Sequence, residues 1–253
     1  MIFEIANTHG GNFNELVKIV NKFNSINYKK KIIKFQIFHP DKISTKDYSW
    51  HRVYRKLFFN HSDWSKIFHL IQPKSKIFLD IFDDYGIEVF RKNFSLISGI
   101  KLQSSIIDNL NIFNKLKELT TEKKIIINVS GYNINSANII LERFLRLNFK
   151  ETIIQFGFQS YPTKVKDLAI NKLLVLKNFF PNCKFSFSDH VDCQDDFSHI
   201  LPSILASLRI DYIEKHVCLG KRKAKYDFYS SLDIEQTNRS EEHTSELQSQ
   251  STI

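Results

Sequence analysis

The chain has 253 residues, 42% hydrophobic and 25% charged, enough to bury one barrel-sized core and too apolar for disorder to be the default. Its formal net charge of +9 comes without an aromatic-interleaved basic stripe, so the basic runs at 29–31 and 221–225 read as solvated loops, and no nucleic-acid partner is expected. Cys183, Cys193 and Cys218 form neither an even set nor a C-x-x-C pair, which argues against a disulfide framework or a thiolate zinc site.

The first three residues run straight into a charged strand, unlike a signal peptide, and no apolar run approaches the roughly 18 residues of a membrane helix. No membrane partner is expected, and a reducing cytoplasm is the simplest compartment. Short β-branched and aromatic runs then recur in chain order: FEIA from Phe3, IIKFQIF from Ile32, KIFLDIF from Lys76 and GIKLQ from Gly99. KIIINV from Lys124, TIIQFGF from Thr152, KFSFSD from Lys184 and DYIEKH from Asp211 complete the set. Helical patterns separate them, the clearest being Ala137, Ile140, Leu141, Phe144 and Leu145 at i, i+3, i+4, i+7 and i+8. Eight strands alternating with helices predict a parallel (β/α)8 TIM barrel.

From Arg239 the composition turns abruptly to Ser, Glu, Gln and Thr. Residues 1–238 are therefore taken as the barrel, and 239–253 as a non-native tail that reads as translated sequencing adapter, with a natural polar tail as the alternative.

Within the predicted strands, Lys34 and Gln36, Lys101 and Gln103, Ser188 and His190, and Glu214 and His216 are each two residues apart, so each pair projects to one face. In this barrel class, polar side chains at the carboxyl ends of the strands line the catalytic mouth. The structural alternative is a set of barrel-interior ion pairs, such as Lys34 with Glu4.

Six short motifs carry a resemblance: EIANTHGG at 4–11, IIKFQ at 32–36, GIKLQSS at 99–105, SYPT at 160–163, FSDH at 187–190 and IEKH at 213–216. In this order, each at a predicted strand end, they make the chain similar to the sialic acid synthase family, which includes legionaminic and pseudaminic acid synthases. The resemblance implies a cytoplasmic enzyme of surface-polysaccharide biosynthesis. Phosphoenolpyruvate would condense with the open-chain aldehyde of an N-acyl hexosamine, lose phosphate and give a nonulosonic acid.

It also implies roles. His190 and His216 match histidines that bind a divalent metal, commonly Mn2+, although imidazole alone suits zinc or iron equally. Lys34 and Lys101 match lysines that hold phosphoenolpyruvate; Ser104 and Ser188 would add hydroxyls to the same anion, and Gln36 is a further substrate-binding candidate. Gln159 stands for a family Asn, Tyr161 would wall the sugar pocket, and Glu4 would handle water or a substrate hydroxyl. Asp227, with Ser231 four residues on, resembles a sugar-contacting loop, and His9 is a weaker contact candidate.

The pattern also breaks. Leu79-Asp80-Ile81-Phe82-Asp83 stands for the family's S-T-P-F-D, placing Asp80 where a phosphate-binding Thr is expected. Two unit charges about 4 Å apart at an effective dielectric near 20 interact by roughly 4 kcal/mol, so Asp80 is expected either to pair with Lys34 or Lys101 or to signal a different donor. Thr8 replaces an Asn, Ile106 an acidic residue and Phe156 a His. The resemblance further implies an eighth helix and an antifreeze-like domain reaching across a homodimer, neither of which follows residue 238. Ile213 and Val217 are therefore expected to be uncovered. Two other functions remain open: a sugar- or anion-binding barrel without turnover, and a metal-dependent sugar isomerase or epimerase.

Overall fold

A computed structural model describes residues 1–234, apart from 29, 120 and 221–225, together with 237. Nine parallel strands run β1 Ile2–Glu4, β2 Ile32–Ile37, β3 Lys76–Ile81, β4 Gly99–Leu102, β5 Thr121–Asn128, β6 Phe149–Phe156, β7 Lys184–Asp189, β8 Tyr212–Cys218 and β9 Ser231–Asp233. Strands one to eight pair in sequence order, and β1 closes on β8 through Ile2↔Glu214 to Glu4↔His216. The result is a closed eight-stranded barrel, and every predicted strand is present.

Helices α1 Phe13–Ser25, α2 Pro40–Ile43, α3 His51–Leu57 and α4 His61–His69 precede α5 Asp84–Lys92, α6 Leu110–Lys117, α7 Ile134–Leu145, α8 Ile170–Phe179 and α9 Phe197–Ser207. Helix α1 starts where the Asn12 side chain accepts from the Glu15 amide. Its last carbonyls are held by the buried Lys31 ammonium, which donates to Phe23 O at 2.8 Å, Asn24 O at 3.0 Å and Ile26 O at 2.7 Å. In α7 the predicted stripe is buried at Ala137, Ile140, Leu141 and Phe144, whereas Leu145 is exposed. At about 100° per residue, eight steps rotate a side chain some 80° away from the first, off the buried face.

Both faces of the sheet are covered, which is why its strands read as almost unbroken apolar runs. Outward residues pack under the helices in one large cluster, while Ile2, Ile32, Phe78, Ile126 and Ile153 plug the amino-terminal end of the bore. Any site must therefore open at the carboxyl ends of the strands.

The expected uncovered face of β8 is corrected: Ile213 and Val217 are both buried. After β8 the chain returns as β9, pairing His216↔Ser231 and Val217↔Leu232, and Leu232 and Ile234 are buried as well. Because Glu4 already occupies one edge of His216, β9 takes the other, on the side where β7 has ended. The expected lack of an eighth helix, and the tail at 239–253, fall on residues of which all but 237 lie outside the described set. Among the described residues no helix is long and apolar enough to cross a membrane.

Candidate active site

Alternation along the strands turns one residue in two into the bore. Above the apolar plug this brings Glu4, Lys34, Asp80, Lys101 and Glu214 into one layer, each no more than 1% exposed. Lys34 Nζ touches Glu4 and lies 2.9 Å from Asp80 Oδ2 and 3.4 Å from Glu214 Oε1. Lys101 Nζ is 2.8 Å from Glu214 Oε1 and 3.6 Å from Asp80 Oδ2. Asp80 also accepts from Gln103 Nε2 at 2.6 Å, and Glu214 from Gln155 Nε2 at 3.0 Å.

Burial drives the Glu4 carboxyl up to about 7, against the pull of Lys34 and with the push of Glu214 and Asp80. Glu214 is buried equally, but Lys101 and Lys34 outweigh that and hold it below the usual carboxylate range. Burial opposes the Lys34 charge too, and Asp80, Glu214 and Glu4 together raise it well above its ordinary value.

The next layer carries the histidines. His190 and His216 have ring centroids 5.2 Å apart, and the Tyr161 ring lies 4.4 Å from one and 5.5 Å from the other. His190 Nδ1 donates to Phe158 O at 2.9 Å, which leaves the Nε2 lone pair turned toward Ser188 Oγ at 3.0 Å. Ser188 also reaches Glu214 Oε1 at 3.1 Å, so its single proton serves one of two acceptors. Burial holds both imidazoles neutral, lowered to about 3; the facing His216 adds to the effect at His190. His216 Nδ1 is buried with no partner.

Two neutral imidazoles side by side, one with a tautomer fixed by a carbonyl and one with an orphaned nitrogen, fit a divalent ion. Among the described residues no group of three or more His, Cys, Asp or Glu is gathered closely enough to hold a metal by itself.

Over these layers opens a cavity of about 690 Å3. Asn7, Gln36, Gln103, Gln159 and Asp227 give it polar groups, while Phe38, Ile43, Tyr54, Phe82 and Ile106 give it an apolar wall. Asn7 Nδ2 donates to Gln36 Oε1 at 3.0 Å, and the Asn7 amide to Asp227 Oδ2 at 3.1 Å.

The sequence pattern of the NeuB family matches residues 24–250. The chain belongs to the NeuB family.

This NeuB-family chain is 23% identical over 249 residues to an uncharacterized protein of Methanocaldococcus jannaschii, covering 93% of this chain and 67% of the relative. Its fold superposes on N-acetylneuraminic acid (sialic acid) synthetase from Leptospira borgpetersenii with a TM-score of 0.86 at 16% identity, covering all of this chain and 84% of that one. A putative spore coat polysaccharide biosynthesis protein E from Chromobacterium violaceum gives 0.84 at 17% identity, covering all of this chain and 75% of that one.

Within this family member, the structure brings Glu4, Lys34, Lys101, Ser188, His190 and His216 into adjoining layers. Of these only His216 lines the cavity, together with Gln36, Ser104, Gln159, Tyr161 and Asp227. Lys34 pairs with both Glu4 and Asp80, so the expected barrel ion pair and the expected Asp80 contact are both present. Asp227 accepts on its own carbonyl from Ser231 Oγ, linking the two residues of the expected loop.

His9 is buried against Phe59, 5.0 Å away, and is not among the residues that line the cavity. Phe156 packs outward with Phe187 under Lys172 and does not line the cavity; the inward neighbour is Gln155. Sequence reasoning missed Asn7, Asn128 and Gln155 as members of the polar interior. Asn128 and Gln155 were legible as lone amides at the inward positions of apolar strands, whereas Asn7 sits on a loop with no periodicity to place it.

Proposed function

We propose that this chain is a sialic-acid-type synthase, in which C3 of phosphoenolpyruvate attacks the aldehyde carbon of an open-chain N-acyl hexosamine. A carbon–carbon bond forms, the aldehyde oxygen takes a proton, and water added at C2 of the donor leads to loss of phosphate, giving a nonulosonic acid for surface polysaccharide. The observation that carries this reading is the convergence of two neutral imidazoles and two buried ammonium groups at the open end of a NeuB-family barrel.

His190 Nε2 and His216 would hold a divalent metal, with Mn2+ the first candidate. Bound there, such an ion would supply a Lewis acid for the aldehyde oxygen. Asn7, Gln36, Gln159 and Asp227 would bind sugar hydroxyls and the acyl amide. Tyr161 would cover the imidazoles and exclude water. Lys34 and Lys101 would face the donor from below, and Glu4, with a carboxyl near neutral affinity for its proton, would exchange one with water or a hydroxyl. A cytoplasmic homodimer, with a further domain completing the site, belongs to the same proposal.

Incubation with phosphoenolpyruvate, Mn2+ and N-acetylmannosamine or its deoxy relatives should release phosphate and form a nonulosonic acid detectable by mass spectrometry. A second reading, a sugar-binding barrel without turnover, is favoured by the complete neutralisation of both lysines. Sugar binding with no phosphate release would select it.

A further inference from the structure

Asp80 Oδ2 is bound as a ligand's oxyanion would be. Lys34 Nζ approaches it at 2.9 Å, Gln103 Nε2 at 2.6 Å and Lys101 Nζ at 3.6 Å. Gln103 has no freedom to turn its carbonyl there, because Asn128 Nδ2 donates to Gln103 Oε1 at 3.0 Å and keeps the amino group aimed at Asp80. Asn128 is fixed in turn: its own carbonyl oxygen accepts from the Ser130 amide at 2.9 Å. Two hydrogen-bond donors, the buried Lys34 and the half-buried Gln103, and the neighbouring Lys101 ammonium therefore converge on one point, and the other oxygen of the same carboxylate, Oδ1, is buried without a partner. An oxygen left unpaired in the bore is costly, and the hydrogen bonds that Oδ2 accepts from Lys34 and Gln103, with the Lys101 charge beside it, offset that cost.

We infer that Lys34, Lys101 and Gln103 form an oxyanion cradle occupied by the chain's own Asp80, so that Asp80 sets the affinity of the site for a phosphorylated donor. An incoming phosphate or carboxylate competes with an anion tethered by the backbone. With Asp80 in place, positive and negative charges on the floor cancel once one proton is held, and nothing is left over to attract a dianion. With a neutral residue at position 80 the floor is one charge more positive, two carboxylates against two ammonium groups, and the donors that served Oδ2 are freed. The inference rests on the proposed reading only in taking this floor as the donor subsite; it concerns binding, not turnover.

The test is calorimetric titration of inorganic phosphate, and separately of phosphoenolpyruvate, into the native chain and Asp80→Asn, each checked for native circular dichroism. The native chain should bind both weakly, and Asp80→Asn should bind each at least about ten-fold more tightly, the effect of one short-range charge in a screened site. Asp80→Ser, smaller and uncharged, makes the same comparison should the amide variant not fold. Phosphate binding by the native chain as tight as by the variants, or a marked rise in its melting temperature in millimolar phosphate, would overturn the inference whatever the variants do. Tighter binding by Asp80→Asn with no product from either protein would uphold it while sinking the synthase reading.

Discussion

Glu4, Asp80 and Glu214 set three carboxylates against the two ammonium groups of Lys34 and Lys101, all buried, and a single proton brings the group to neutrality. Glu4 is the member that keeps it, its carboxyl raised to about 7 chiefly by burial. The folded protein then holds, between pH 4.5 and 7, a proton the unfolded chain has released. The stabilisation from Glu4 is complete below 4.5 and lost as pH rises through 7. His190 and His216, both lowered to about 3 by burial, and His9, lowered to about 4, act in the opposite sense, because the unfolded chain binds their protons up to about 6.5. The prediction is therefore a difference: from pH 5 to 6.5 the urea-unfolding free energy of Glu4→Gln should climb more steeply than that of the native chain, by up to about 1.4 kcal/mol per pH unit. Parallel curves would remove Glu4 as the proton's holder.

Between the paired residues of the two histidine motifs lies a second pair with a different task. Asp189 and Lys215 are register partners on β7 and β8, turned outward from the bore, and their ion pair is 2.9 Å long and buried. Lys215 Nζ also donates to Val191 O at 3.0 Å, and Asp189 Oδ1 accepts from the Val191 amide at 2.8 Å, so the pair ties the exit of β7 to β8. That tie holds the two strands that carry His190 and His216. Gly157, just past β6, serves the same corner: a Cβ there would overlap the Ser188 carbonyl, one strand over and two residues before His190. Asp189→Asn leaves the Lys215 ammonium buried with a lone carbonyl and should cost about 3–5 kcal/mol of stability in urea denaturation. The double change Asp189→Leu with Lys215→Met should cost distinctly less, since no uncompensated charge remains.

The ring is closed by only three residue pairs between β1 and β8, and β9 then continues the pairing along β8. Leu232 and Ile234 are buried near Val217, so ending the chain after Ser230 should expose apolar surface and raise light scattering and dye binding relative to the intact chain. The barrel itself was legible from sequence, because a parallel sheet covered on both faces writes each strand as an apolar run and each helix as a 3.6-residue stripe. The inward direction of Lys34, Lys101, Ser188, Glu214 and His216 was legible too, from a period of two. What sequence could not supply was distance across the bore. Lys101 and Glu214 are 113 positions apart and sit on strands that are not neighbours, yet they meet at 2.8 Å. Asp80 read as an intruder whose partner was open; closing the ring set it against Lys34, Lys101 and Gln103 together. β9 was invisible because three residues are too few to show a period, and it exists only as an edge for β8 to pair with. Local pattern thus determined which side chains enter the barrel. Ring closure, a long-range property of all eight strands, decided which of them neutralise one another.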